Sequence, residues 1–524
     1  MIIARLRHAL SLLVPRTQAS LFRAFREDRF LLWVTLLLFV TACIPLCVTP
    51  ILPFSDMGAN TASAELMWDA MLGREPAATY YRVNWAPVPY WTGYASAALL
   101  GRVVGPLLAA KLLTALVFAL VPLSTMRLLL ALGRDPRLGL WSFAMIWQQN
   151  LFWGWTSFML GIALVSFALA WIIEARSVAD GFRIAPYGAL IALTHIQATW
   201  LLALCGGLLC LSTGRFWKRV LVHLAAGSGA AVITLAWLGG HLGAEGSGAA
   251  GNFSFGWHTP AYRLANVFHY VLDNYTHAYA ERIAAVAFVL LVLGPLALTQ
   301  VPQRPFVDRR SPLLLVAVAG CLYALLWFEI GGPINHWYTY PRYAAVVCTW
   351  LLLIPAPRQT LASNLALLPG IATALALNLI SVQQFAGFGE RVRPFLEVIR
   401  AVPQGASVLP FTFDDHEKDP DLKHWAYHLL YGYLTAIKHG YTPYLWNMKS
   451  HPFHNSDVSL PSPGWGGVFS MDQHGRHYDY LLVQGFVHRD PVKNARSSEG
   501  YGARLVLERA RWRLYAVTKP GQAQ

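Results

Sequence analysis

The chain has 524 residues, 56% of them hydrophobic and only 13% charged, with a formal net charge of +14. That balance excludes a disordered chain and an ordinary soluble enzyme and points to a polytopic membrane protein. The basic residues are scattered through short loops, which argues against a nucleic-acid partner, and all six cysteines fall in apolar runs, which excludes a disulfide framework.

Residues 1–29 carry six arginines among apolar residues and read as a cytoplasmic, surface-lying segment ahead of an uncleaved first span. Apolar runs long enough for a hydrocarbon core follow, and their lack of period-2 alternation makes them helices rather than barrel strands. Spans are expected at 30–50, 106–126, 138–152, 155–174, 184–195, 197–213, 220–239, 283–299, 312–331, 343–355 and 361–383, with Pro87 to Val104 an interfacial helix of the first outer loop, 51–105. With the N-terminus inside, Arg127, Arg134, Arg137, Arg176, Arg183, Lys218 and Arg219 all fall on the cytoplasmic side, as the positive-inside rule requires.

An odd number of spans leaves residues 385–524 outside. Strand-like runs appear there at Ala406 to Phe411, Tyr478 to Val483, Ala503 to Leu507 and Trp512 to Val517, with a helical stretch from Leu422 to Ile437. The expected fold is therefore mainly α: a helical membrane bundle of about eleven spans over 30–384, carrying a small C-terminal α/β extramembrane domain.

The candidate chemistry lies on the outer face. Asp56 follows the first span directly in ILPFSDMG, with Pro53 fixing the exit, so its carboxylate sits near the membrane surface, able to activate a hydroxyl, hold a metal ion or cap the helix beginning near Met57. Glu65 and Asp69 share one face of a helix over Thr61 to Leu72 and read as a solvated face. Arg82 belongs to the same loop. The tip WQQNLFWGWTSFMLG presents Gln148, Gln149 and Asn150 among aromatics, and LTHIQATW puts His195 between two short helices. In HWYTYPRY, Tyr340 and Arg342 begin the tenth span, where a guanidinium suits phosphate binding or interface anchoring, and Lys111 enters the second span. His424 and His428 stand four apart at metal-ligand spacing near Asp414, Asp415 and His416, but no HExxH accompanies them.

The arginine-rich start, the single span before a long loop with an early Asp, the stretch WAPVPYWTGY, the tip NLFWGWTSFMLG, the TH pair and the YPRY loop together resemble the GT-C class of membrane glycosyltransferases, with a likeness to dolichyl-phosphate-mannose protein mannosyltransferases. The resemblance implies a transferase that moves a sugar from a polyprenyl-phosphate donor to a lipid, glycan or protein on the outer face of a membrane, here a bacterial inner membrane. It implies that Asp56 is the catalytic base or metal ligand, with Mg or Mn as the divalent cation. Arg342, His195, Lys111, Arg82, Asn150 and Tyr340 would bind the substrate or its lipid phosphate. Where many members carry a second acid at the next outer tip, this chain has Asn150 and two glutamines. Two other classes compete: a non-catalytic scaffold of envelope glycan synthesis, and a secondary transporter.

Overall fold

The computed structural model describes residues 20–211, 216–244, 254–276, 279, 281–283, 285–287, 289, 310–331, 336–355, 364–412, 419–445, 451–464, 467–485, 490–493 and 495–521. Most of the apolar run 283–299, and the cluster Asp414, Asp415 and His416, lie outside the described residues.

The bundle begins with α1 (Leu21–Glu27) and α2 (Arg29–Val48), and Asp28 caps α2 by accepting from the Leu31 N–H at 3.0 Å. Next come α3 (Met57–Met71), α4 (Trp91–Val104) and α5 (Pro106–Ala131). These are followed by α6 (Thr156–Glu174), α7 (Val178–Thr194), α8 (Ile196–Leu211) and α9 (Phe216–Ala244). Ser177 and Asp180 close a reciprocal capping box at the start of α7. After the loops come α10 (Ser311–Leu325), α11 (Arg342–Leu351) and the 34-residue α12 (Leu368–Ala401). Among the described residues five helices are long and apolar enough to cross a membrane: α2, α5, α6, α9 and α12; α8 and α10 are shorter apolar helices. This is an integral membrane protein.

The run 138–152 departs from the expected span. It is a 3-10 helix over Pro136–Ile146 followed by a single α-turn, Gln149–Phe152, and all eleven 3-10 residues but Pro136 are buried. Its hydrophobicity serves packing against α2, α5, α11 and α12 rather than contact with lipid. Trp147 illustrates the point: its indole N–H donates to Asn378 Oδ1 of α12 at 2.7 Å while its ring packs against Phe118 of α5. Pro87 to Val104 yields the 14-residue α4, which packs on α3 and α5.

Ion pairs show which helix ends meet. Arg127 at the end of α5 holds Glu174 at the end of α6 through two bonds of 3.0 and 2.5 Å. Arg219 at the start of α9 donates to the carbonyls of Ile172, Ile173 and Ala175. Arg137 stands 3.9 Å from Asp28 at the start of α2. These arginines gather at one end of the bundle; the end of α2 and the start of α6 face the other.

Residues after α12 add a four-stranded sheet, order β5-β7-β9-β8, from β5 (Val408–Thr412), β7 (Tyr480–Gln484), β8 (Gly502–Arg509) and β9 (Trp512–Thr518). Only the β5–β7 pairing is parallel. The stretch read as helical from Leu422 becomes turns as far as Leu430, followed by α13 (Tyr431–Lys438). This region grips the bundle. α13 packs on α3, β1 (Tyr81–Val83) pairs with β6 (Phe453–Asn455), and α12 runs unbroken through residues 384 and 385 to meet β8 and β9. Short strands β2 (Phe255–Gly256), β3 (Glu329–Ile330) and β4 (His336–Trp337) complete a three-stranded sheet near the same end.

Candidate active site

A cavity of about 640 Å³ opens at the end of the bundle away from the arginine cluster, and Asp56 and Arg342 both line it. The loop leading to Asp56 is pinned on both sides. Ser55 N–H donates to Phe152 O at 2.9 Å and Asp56 N–H to Trp153 O at 3.0 Å, while His424 Nε2 bonds Pro53 O at 2.5 Å. Gly154 makes this close approach possible: its φ is +83°, and a Cβ there would sit 3.0 Å from Met57 N. Asp56 occupies the N-cap position of α3, yet its side chain makes no cap hydrogen bond. Its Oδ2 instead accepts from the Trp155 indole N–H at 3.0 Å.

Arg342 begins α11, and its guanidinium is buried over the Trp155 ring, 3.8 Å from the ring centroid. It donates to the carbonyls of Tyr338 and Trp337, each at 3.3 Å, and its Nη1 lies 3.2 Å from His195 Nε2. His195 sits in extended backbone between α7 and α8, and its Nδ1 accepts from Gln197 N–H at 3.2 Å. A neutral ring accepts at one nitrogen only, so the Gln197 N–H and the Arg342 guanidinium compete for it. The guanidinium beside it suits an anionic oxygen.

The electrostatics follow from burial. Burial raises the Asp56 carboxyl above its usual range, against the pull of His428, the Trp155 N–H and Arg342. Burial, reinforced by Arg342, holds His195 well below the ordinary imidazole value and His336 at about 3. Both rings are therefore neutral hydrogen-bonding groups. His428 and His451 line the same cavity, and the Tyr90 ring meets His195 and His451 edge-on at 5.1 and 4.9 Å. Away from this polar end the lining turns apolar along α5 and α6, through Ala110, Leu113, Leu116, Val117 and Leu160.

Three of the seven sequence candidates line this cavity and four do not. Asp56, His195 and Arg342 line one cavity. Asn150 lies just behind it, fully buried, donating to Arg342 O at 3.1 Å and Gln148 Oε1 at 2.6 Å, so it supports the arginine's backbone. Lys111 turns away to donate to Thr49 O at 2.6 Å. Arg82 sits exposed on β1, bonded to the carbonyls of Ala78 and Tyr81. Tyr340 is buried in an aromatic cluster, its hydroxyl 2.9 Å from His258 Nδ1 and 3.1 Å from Tyr270.

One other reading is corrected. Glu65 and Asp69 are not a solvated face but 2% and 3% exposed; Arg102 of α4 pairs with both, at 2.9 and 3.2 Å, and His439 with Asp69 at 2.5 Å. His424 bonds Pro53 O through Nε2. Among the described residues no three His, Cys, Asp or Glu side chains stand together as a metal ligand set. Asp56, with an indole donor on one oxygen and a guanidinium nearby, does not match the oxygen-rich donor set of Mg or Mn. Trp155, His336, Trp425 and His451 are not singled out as binding residues in the sequence, because they come from four separate segments that only the tertiary fold brings to one rim.

No protein-family model matches the chain, and no curated protein matches it. A search of solved structures finds ArnT from Cupriavidus metallidurans bound to undecaprenyl phosphate, with a TM-score of 0.52 at 12% identity, covering 93% of this chain and 98% of that one. The likeness extends over nearly the whole of both chains, bundle and C-terminal region alike, and the fold of this protein is that of ArnT, in keeping with the GT-C resemblance of its sequence.

Proposed function

We propose that this protein is a membrane glycosyltransferase that moves a sugar from a polyprenyl-phosphate donor to an acceptor hydroxyl. The observation that carries the reading is the placement of the Asp56 carboxylate and the buried Arg342 guanidinium on the wall of a single cavity that turns apolar along α5 and α6. ArnT, whose fold this chain shares, was solved with a lipid of this class bound.

In the proposed reaction the donor phosphate accepts from Arg342, beside His195, and the polyprenyl chain lies along Leu113, Leu116 and Leu160. The acceptor hydroxyl attacks the anomeric carbon while Asp56 takes its proton. The carbon–oxygen bond to phosphate breaks, and the electron pair leaves on a phosphate oxygen held by Arg342. Burial suits Asp56 to this role because a carboxylate of raised pKa is a stronger base. The arginine cluster of Arg127, Arg137 and Arg219 at the opposite end supports a reading in which that end is cytoplasmic and the cavity and C-terminal sheet lie outside a bacterial inner membrane.

The test is Asp56→Asn in the full chain. Asparagine keeps the acceptor for the Trp155 N–H, so undecaprenyl phosphate still binds, while the glycan or lipid modification missing in a deletion strain is not restored. Restoration by the Asn variant removes Asp56 from the chemistry, and loss of lipid binding on its own makes the residue a binding group.

A further inference from the structure

We infer that Trp155 is the positioning residue of this site, the single side chain that fixes the Asp56 carboxylate and the Arg342 guanidinium in one frame. The inference rests on the proposed transferase reading. Its basis is that two different contacts of one indole reach the two groups while a third holds the ring in place. The ring N–H reaches Asp56 Oδ2 at 3.0 Å and the ring carries Arg342 at 3.8 Å. The ring also stacks on Trp153, centroids 5.4 Å apart and planes 10° off parallel.

The indole has little freedom. Its backbone N–H donates to Asn150 O at 2.9 Å, which ties it to the residue that also supports Arg342 from behind. Tyr338 flanks it at 5.4 Å, and Trp153 is met edge-on by Trp337 at 5.2 Å and Trp425 at 5.3 Å. Those partners come from β4 and from the turns before α13, so strands near the cavity mouth and the C-terminal region together clamp the stack. Rotation of Trp155 would lose the carboxylate's donor and the cation's platform in the same movement. Base and phosphate grip therefore keep a set separation, which displacement at a single carbon requires.

Two functions of the ring can be separated. Trp155→Phe keeps an aromatic face under Arg342 but removes the N–H; Trp155→Ala removes both. Undecaprenyl phosphate, added to the full chain in nanodiscs across the range where carboxylates and imidazoles titrate, is the probe. An ionised Asp56 repels the phosphate, so affinity steps down where Asp56 ionises, and Asp56→Asn removes that step. Other groups facing Asp56 also titrate or carry charge, namely His428, Arg342 and Tyr94. They and the phosphate are common to all variants, so only the difference from Asp56→Asn is read.

Loss of a donor to the charged form makes ionisation harder. In Trp155→Phe the step therefore moves to higher pH while affinity below it stays within about twofold of wild type. Trp155→Ala loses affinity at every pH by roughly thirtyfold, the size of one cation–π contact in a desolvated site. Benzothienylalanine at 155, with sulfur in place of the N–H, reproduces the Phe result without changing shape and serves should the Phe variant be unstable. A step that stays at the wild-type pH in both N–H-deleted proteins overturns the inference. Failure of wild type to bind the lipid, or full binding by Arg342→Ala, instead overturns the transferase reading.

Discussion

Gly58 and Gly432 set how closely the C-terminal region can dock on the helix that follows the proposed base. A Cβ on Gly58 would lie 2.3 Å from Leu429 O, and one on Gly432 would meet Gly58 C at 2.3 Å and Ala59 N at 2.6 Å. Each is about 1 Å short of an ordinary contact, and the obstacle is backbone that cannot rotate aside. Gly58→Ala must therefore part α3 from the turn before α13. Overpacking of this kind costs about 1–3 kcal/mol, offset by about 0.5–1 kcal/mol of helix propensity gained on replacing glycine, for a net loss of about 1 kcal/mol. The shift falls two residues from Asp56, and a misplacement of about 1 Å costs on the order of 100-fold in rate. The expected outcome for the detergent-solubilised chain is a lowered denaturant midpoint and a far larger loss of transfer activity, with undecaprenyl phosphate binding retained. Gly320→Ala on α10, where nothing lies within 4 Å of the new methyl, is the control and should be neutral or slightly stabilising. If Gly58→Ala matches Gly320→Ala in both stability and activity, the close-packing argument is refuted.

Two further outcomes follow from buried and paired charges. Arg127→Ala strands Glu174, whose side chain is 7% exposed, and should destabilise the chain by about 3–5 kcal/mol; Arg127→Met with Glu174→Leu should recover most of it, which chemical denaturation of the two variants checks. Asp273 has its carboxyl drawn down to about 2 by His269 and then Lys423, against burial. A depressed carboxyl stabilises the fold above its ordinary range and loses that contribution as pH falls toward about 2, so the acid-unfolding curve of Asp273→Asn should be shallower than that of wild type through this window.

Much of the architecture was legible because it rests on hydrophobic length and period. The runs behind α2, α5, α6 and α9 announce membrane-crossing helices, and the four strand-like runs of the C-terminal region are the four strands of its sheet. Apolarity misled at 138–152, where it signals packing inside the protein rather than exposure to lipid. Among site residues, Asp56, His195 and Arg342 could be read because a polar group next to a span needs a reason. Glu65 and Asp69 looked solvated because what buries them, Arg102 and His439, lies dozens to hundreds of residues away. Tyr340 and Lys111 share segment and chemistry with true lining residues, and only side-chain direction separates them. Trp155 sits in an aromatic-rich tip where a tryptophan is ordinary, and its role depends on contacts made across the fold.

α12 has a mechanical consequence. At 1.5 Å per residue its 34 residues extend about 50 Å, some 20 Å beyond a hydrocarbon core of about 30 Å. Two ion pairs tie the overhang to the C-terminal region: Arg391 binds Asp419 at 2.6 Å, and Glu397 binds Arg509 of β8 at 2.7 Å. On the proposed reading, an acceptor would travel to the cavity and pass beneath a sheet held by this helix, so the clearance between sheet and bilayer would limit the size of molecule that can be served.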